Sequence, residues 1–426
     1  MLNRKLIQKR KPYVLEKWNI GMTKQKYIGS GRPKEDIDKK SVRLSILKQP
    51  IFSVLNDHLI AYPVPSNLNY FWSFGSLAGI SLIVQIVTGI FLACHYTAHV
   101  DLAFNSVEHI MRDVPGGYAL RYCHANGASM FFLVVMAHML RSLYYGSYQS
   151  PREAVWLSGV IMLLLMMGTA FLGYSLPFGQ MSLWGISVIT SLFSVVPLVG
   201  NELVQWLWGG FSVNNATLNR FYSLHYVLPF VLAGASVIHL AALHHKGSNN
   251  PLGVESTADK INFYPYLVYK DRVALMAYLI GLSVLVWYAP NVLSHSDNYI
   301  PANSLVTPLQ IVPEWYFLIV YCILRSIPNK SAGVLAIALV FVALLALPFV
   351  ATSPILSSNF RPLHRKSLML FVAACSILSW AGSQPVEQPY ILVGQCATLY
   401  FFVYFFVLIP LLGRFEYYLL MRDNKV

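Results

Sequence analysis

Long apolar runs decide what this chain can fold into. Stretches of up to about 25 residues, almost free of charge, recur between Tyr70 and Leu412. Most are long enough to cross a hydrocarbon layer of about 30 Å as a helix. The composition agrees: 56% hydrophobic and 12% charged residues suit a polytopic membrane protein and not a soluble domain. Eight spanning segments are expected, at about 70–96, 121–146, 154–176, 220–245, 273–289, 333–350, 368–380 and 390–412. Residues 49–69 read as an amphipathic lead-in. Residues 179–213, with Trp184, Trp206 and Trp208, read as short helices at the membrane interface, and 290–330 as a long loop.

Two of these segments each carry a pair of histidines. His124 and His138 are 14 positions apart, and so are His225 and His239. Fourteen residues make nearly four helical turns, so the two imidazoles of a pair share one face, about 21 Å apart along the axis. Two such helices side by side place a facing His pair at each of two depths. Opposed imidazoles suit a six-coordinate haem iron. A single intramembrane His more often serves a helix–helix hydrogen bond, and a proton or substrate relay is the competing use for four. Matched spacing in two segments favours two stacked haems, with metal ligands His124 and His225 at one depth and His138 and His239 at the other.

Charge sets the expected topology. Fourteen of the 31 Lys and Arg lie in residues 1–48, so a basic tail precedes a nearly neutral membrane body. With the N-terminus on the negative side and eight alternating spans, 26 of the 31 basic residues fall on that side, an imbalance that follows the positive-inside rule. The tail lacks the apolar core of a signal peptide, and its acids Glu16, Glu35, Asp36 and Asp38 fit a cleaved transit peptide badly. It is read as a retained extension for anionic lipid or a neighbouring subunit, with plain disorder as the alternative. Without an aromatic or Gly-rich recognition pattern, it does not point to nucleic acid. The five cysteines, Cys94, Cys123, Cys322, Cys375 and Cys396, sit in or beside apolar runs and read as small buried hydrophobes. No C-x-x-C-H occurs, so a haem here is held without thioether bonds.

Further residues fit the haem reading. Gly75 and Gly89 are 14 apart, as are Gly159 and Gly173, matching the histidine rungs on two more helices. Small residues there leave a surface on which a porphyrin can lie, or let helices approach each other. Arg121 and Arg141, near the two ends of the second segment, are suited to haem propionates or to interfacial snorkelling.

The stretches RYCHANGASMFF, GYSLPFGQMSLWG, WGGFSVNNATLNRF, HHKGSNNPLG, PEWYFL and LRSIPNK, together with the two His pairs, resemble the cytochrome b family of mitochondrial respiratory complex III over about residues 49–420. Equal His spacings and eight fused spans favour the respiratory form over the plastid one. The resemblance implies an all-α membrane fold in three parts: a basic extension (1–48), a diheme four-helix bundle (49–260) and a C-terminal four-helix half (261–426). It implies two non-covalent b-type haems, low-potential on His124 and His225 and high-potential on His138 and His239. It implies ubiquinol oxidation in a positive-side pocket with Glu314 and Tyr321, lined by Tyr174, Gly185 and Pro313. Quinone reduction is implied in a negative-side pocket with His244, Ser248, Lys270 and Asp271. The implied partners are a Rieske iron–sulfur protein, cytochrome c1, other complex III subunits, a second copy of the complex and a membrane lipid such as cardiolipin. The implied location is the mitochondrial inner membrane, with both termini on the matrix side.

Chemistry supports these assignments. Quinol oxidation releases protons that a carboxylate such as Glu314 can accept and pass on by rotating. Quinone reduction needs donors, for which His244 and Asp271 are suited, with Lys270 aiding uptake. Departures from the family pattern are Val312 before Pro313, Phe178 in place of Trp, His245 and Lys246 in place of an acidic–polar pair, the long tail and a stretched last helix. Two rivals remain at this stage: a proton-relay transporter, which predicts no haem spectrum, and a diheme anchor of another quinone oxidoreductase, which predicts one quinone site.

Overall fold

The computed structural model describes residues 49–423; the basic extension expected over 1–48 lies outside the described residues. The chain divides between Val54 and Leu55, and the second unit starts at Leu55. Helix α1 (Pro50–Leu55) opens the described residues, and every longer helix belongs to the second unit.

Among the described residues the second unit is helical apart from loops and two short strands. β1 (Pro63–Pro65) and β2 (Lys260–Asn262) pair antiparallel with Val64 opposite Ile261. The first long helices are α2 (Phe74–Ala93) and α4 (Gly117–Tyr145), separated by the short α3 (Ala103–Arg112). Gly116 and Gly146 bracket α4 in the left-handed region, at φ 73° and 67°. A side chain at Gly146 would also collide with the Leu356 carbonyl, so this helix end admits only glycine. α5 (Glu153–Ser175) is followed by the short α6 (Gln180–Ser191) and α7 (Gly200–Trp208), and then by α8 (Asn215–Lys246). Asn214 caps α8: its side chain accepts from Ala216 N at 2.8 Å, and Thr217 Oγ1 accepts from Asn214 N at 3.1 Å. Inside α8, Pro229 has no N–H to offer the His225 carbonyl.

The C-terminal part holds α9 (Tyr266–Trp287), the short α10 (Leu318–Ser326), α11 (Lys330–Val350), α12 (Pro362–Gly382), α13 (Tyr390–Val403) and α14 (Ile409–Asp423). A wider turn at Tyr404–Leu408 joins the last two.

α2 packs along α4, and α5 along α8. α10 to α13 close around Ile323, Leu347, Leu368, Leu378 and Phe401. Trp156 of α5 donates Nε1–H to the Leu344 carbonyl of α11 at 2.7 Å, which ties the two groups of helices together. Large apolar side chains point outward as well: Val237 and Ile238 of α8 are 66% and 67% exposed, as on a face meant for lipid.

Among the described residues six helices are long and apolar enough to cross a membrane: Tyr70–Ala93, Gly117–Tyr145, Glu153–Ser175, Asn215–Lys246, Lys330–Val350 and Tyr390–Arg422. α9 and α12 are 22 and 21 residues long but open on charge, Lys270, Asp271 and Arg272 in one and Arg365 and Lys366 in the other. Several boundaries differ from the sequence expectation, among them the start of α9, which lies at Tyr266 and not at Val273. The stretch 290–330 is not loop throughout, because α10 forms inside it; α12 begins at Pro362, well before Leu368; and the last helix runs on to Asp423. Cys322 is buried as expected, whereas Cys94 and Cys396 are exposed.

Candidate functional site

The four histidines meet across the two helix pairs. His124 of α4 faces His225 of α8 with ring centroids 6.1 Å apart, and His138 faces His239 at 6.4 Å. Two imidazoles on opposite sides of one metal, each bonded at about 2 Å, have centroids about 6 Å apart. The spacing in both pairs therefore leaves room for one metal ion and nothing longer. Among the described residues no three His, Cys, Asp or Glu side chains cluster as a free-ion site, so these histidines come as isolated pairs.

Each of the four glycines lies against one of these rings. A Cβ on Gly75 would sit 3.3 Å from His138 Cε1, one on Gly89 3.1 Å from His124 Cε1, and one on Gly159 3.3 Å from His239 Cε1. One on Gly173 would collide with the His225 ring outright. The 14-residue glycine spacing thus leaves room for the imidazoles at both levels.

The outer ring nitrogens are held from neighbouring helices. His124 Nδ1 lies 2.9 Å from Thr88 Oγ1, whose own hydrogen goes to the Val84 carbonyl. His239 Nδ1 lies 2.9 Å from Ser158 Oγ, which donates to Val155. His225 Nδ1 is 2.9 Å from the Thr169 carbonyl, which can only accept. All three contacts put the proton on Nδ1 and leave the Nε2 lone pair free for a metal. Sequence reasoning did not single out Thr88 or Ser158. The signal was present, since each directly precedes a glycine of the matched set, Gly89 and Gly159.

His138 differs. Its Nδ1 faces Arg141 Nη2 at 3.2 Å, a group that only donates, so Nδ1 accepts here and Nε2 becomes bare once the guanidinium turns to another acceptor; that guanidinium lies 5.2 Å from the Trp72 ring centroid. Arg141 Nε is buried with no partner. A buried guanidinium with a free N–H calls for an anion, and a haem carboxylate beside this pair fits that need. A cavity of about 730 Å³ surrounds the other pair, lined by His124, His225, Arg121, Gly89, Gly173 and Glu314. On these observations the residues present fit a haem at each level.

Glu314 joins that cavity to a narrow apolar cleft. The cleft is lined by Glu314, Tyr174, Gly185, Pro313 and Tyr321 among others, and Glu314 and Tyr174 line both spaces. All five residues expected in the positive-side pocket thus come together. The loop carrying Glu314 is anchored on α4: Trp315 donates to Ser129 Oγ at 3.1 Å, and Tyr316 stacks on Phe132 at 3.9 Å between centroids. Tyr321 donates its hydroxyl to the Ile311 carbonyl at 3.1 Å, holding the other side of the loop. Gln180 and Ser182 of α6 bind Val306 and Asn298, which fixes the approach of the loop. Burial pushes the Glu314 carboxyl up to about 7, while Tyr174 and Arg121 pull the other way.

The four residues expected in the negative-side pocket are placed as two pairs. His244 Nδ1 lies 2.8 Å from His58 Nδ1, and its ring stacks on Tyr62 at 4.1 Å. Next to it, the Arg152 guanidinium donates to the Gly247 and Ser248 carbonyls at 2.8 and 3.3 Å. Lys270 Nζ donates to the Leu68 carbonyl at 2.6 Å, and the Asp271 carboxyl lies near the Ser73 and Ser76 hydroxyls. The segment from Tyr62 to Leu68, which includes β1, links the two pairs. His58 and Tyr62 were not foreseen; no spacing rule marks a contact across 186 residues.

Comparison with known proteins identifies the family. The family model described as cytochrome b/b6/petB matches residues 59–247, and that described as cytochrome b(C-terminal)/b6/petD matches 301–402. Cytochrome b of Marchantia polymorpha is 65% identical over 382 residues, 90% of this chain and 94% of the relative. Cytochrome b of Solanum tuberosum is 64% identical over 375 residues, 88% of this chain and 95% of the relative. Among solved structures, a chain of a hyperthermophilic respiratory complex III superposes with a TM-score of 0.83 at 31% identity, covering 88% of this chain and 99% of that one. With identity this high over nearly the whole length of those relatives, the chain belongs to the cytochrome b family.

Proposed function

We propose that this chain is the redox core of a respiratory quinol–cytochrome c reductase in the mitochondrial inner membrane, oxidising ubiquinol near one face and reducing quinone near the other. The observation that carries the reading is the pair of facing imidazoles at each of two levels, 6.1 and 6.4 Å between ring centroids. His124 and His225 would hold the low-potential b haem, and His138 and His239 the high-potential one. When bound, the two haems supply one-electron transfer between the membrane faces. Arg141 is placed to neutralise a propionate at one level, and Arg121 at the other.

At the positive side the cleft between Gly185, Pro313 and Tyr321 holds and orients the quinol ring. The Glu314 carboxylate takes a hydroxyl proton there. Because its side chain borders both the cleft and the larger cavity, a rotation carries that proton away from the cleft. At the negative side His244 and Asp271 donate protons to the reduced quinone, with Lys270 and Ser248 at its edge.

The spans are eight, with α9 and α12 joining the six apolar helices and both termini on the matrix side, a reading that the distribution of basic residues supports. The chain then has a diheme half over 49–260 and a second half over 261–426. The Rieske iron–sulfur protein, cytochrome c1 and the remaining subunits are its partners, in a homodimeric complex with lipid such as cardiolipin around it.

The test is Glu314→Gln in the assembled complex. Quinol oxidation should slow by about 10²- to 10⁴-fold, the usual weight of a positioned acid–base group. Both haem absorption bands should be retained. Loss of a band, or an unchanged rate, rules out the proton-accepting role.

A further inference from the structure

Beside the candidate quinone-reduction site lies a histidine pair that the reaction scheme above does not use. His58 and His244 approach through like atoms, Nδ1 to Nδ1, at 2.8 Å, with ring planes 6° apart. Two like nitrogens this close hold one proton between them: one ring donates, the other accepts. His58 is exposed on the turn Asn56–Ile60, whereas His244 is half-buried under the Tyr62 ring in the last turn of α8. His58 is open to water, which can replace a proton it gives up, so His58 is assigned as the donor. His244 Nδ1 is then the acceptor, and its remaining proton sits on Nε2. That tautomer is opposite to the one set for His124, His225 and His239 by Thr88, Thr169 and Ser158. A ring used as a metal ligand needs Nε2 bare, while a ring used as a proton donor needs it loaded.

We propose that His58 is a positioning and proton-loading residue for quinone reduction, acting through His244. The proposal deepens the negative-side reading given above and rests on it. When the quinone has gained two electrons, His244 Nε2–H passes to a quinone oxygen as the His58 Nδ1 proton moves onto His244 Nδ1. His244 ends neutral, with its proton on Nδ1. The His58 imidazolium ends neutral and takes a new proton from water. The second proton of the quinol comes from the Asp271 side of the site.

Other charged groups around the pair leave this route open. Arg152 is committed to the Gly247 and Ser248 carbonyls, and Lys270 to Leu68. Asp271 lies near the Ser73 and Ser76 hydroxyls. His245 and Lys246 share the last turn of α8 and are exposed, and Asp57, next to His58, accepts from Asn56. Tyr62 covers one face of His244.

The experiment uses the whole complex carrying His58→Gln, His58→Ala or His244→Ala, with haem per chain checked first. With the positive-side pocket blocked by an inhibitor, ubiquinol reduces the haems only through the negative-side site, and the rate is followed against pH. His58→Gln should be slowed roughly tenfold or more. Its pH profile should also differ from that of the wild type, while the quinol concentration at half-maximal rate is unchanged. Added imidazole should restore the rate of His58→Ala, because the vacated position is open to water. A His58→Gln complex with the wild-type rate and pH profile overturns the proposal, as does a slow His58→Ala complex that imidazole does not rescue. If His244→Ala keeps the full rate, the negative-side site itself has been misassigned, an outcome separate from failure of the His58 variants alone.

Discussion

A carboxylate can accept a proton at neutral pH and release it again only if its affinity for the proton is close to that of the surroundings. Burial gives Glu314 this property by raising its pKa from 4.5 to about 7. The sign is direct: below about 7 the group is neutral and cannot accept, and above it the group is ionised and can. Quinol oxidation should therefore rise as pH passes through about 7 and level off above, with the step absent in Glu314→Gln. A pH–rate profile of the complex checks this. At the haem levels, Thr88→Val and Ser158→Ala remove the acceptors of His124 and His239 Nδ1–H. Each should weaken retention of one haem by about 10- to 100-fold, the usual effect of losing such an outer partner, seen as loss of one band on dilution or mild detergent. The histidines and glycines were legible in the sequence because 14 residues bring a side chain back to the same helix face. Thr88 and Ser158 were marked only indirectly, by the matched glycines that follow them, and Thr169 not at all, because their contacts cross between helices. Arg141 was read as a propionate partner or a snorkelling residue; its buried, unpartnered Nε favours the first.

Caps and anchors decide how firmly each element holds its residues. α8 carries two of the four histidines and depends on Asn214 for its first turn. Asn214→Ala should cost about 0.5–2 kcal/mol of stability, measured as a lower thermal midpoint of the complex. The Glu314 loop depends on Trp315 bonded to Ser129 and on Tyr316 stacked on Phe132. The longest apolar helices were legible from run length alone. α10 was missed because its nine residues lie between polar stretches and form one face of a packed cluster, not a span. α3 was missed for a related reason: Glu108, His109 and Arg112 give its ten residues a polar face, which no search for apolar runs detects.

At the scale of the molecule, charge and hydropathy speak to different questions. Hydropathy marks six helices, because the charged first turns of α9 and α12 dilute their apolar stretches. The distribution of Lys and Arg instead favours eight crossings with the ends of the chain on one side. Reporter cysteines at the C-terminus and in the polar loop after α8 should both react from the matrix side, while one in the loop after α5 should not. Everything proposed for the two faces depends on a pair of haems between them, held by four histidines. The most direct measurement is haem extracted and quantified per chain from the purified complex, alongside its reduced-minus-oxidised spectrum. The account predicts two non-covalent b-type haems per chain, falling to one or none in His124→Leu or His138→Leu; a wild-type value of one or zero would contradict it.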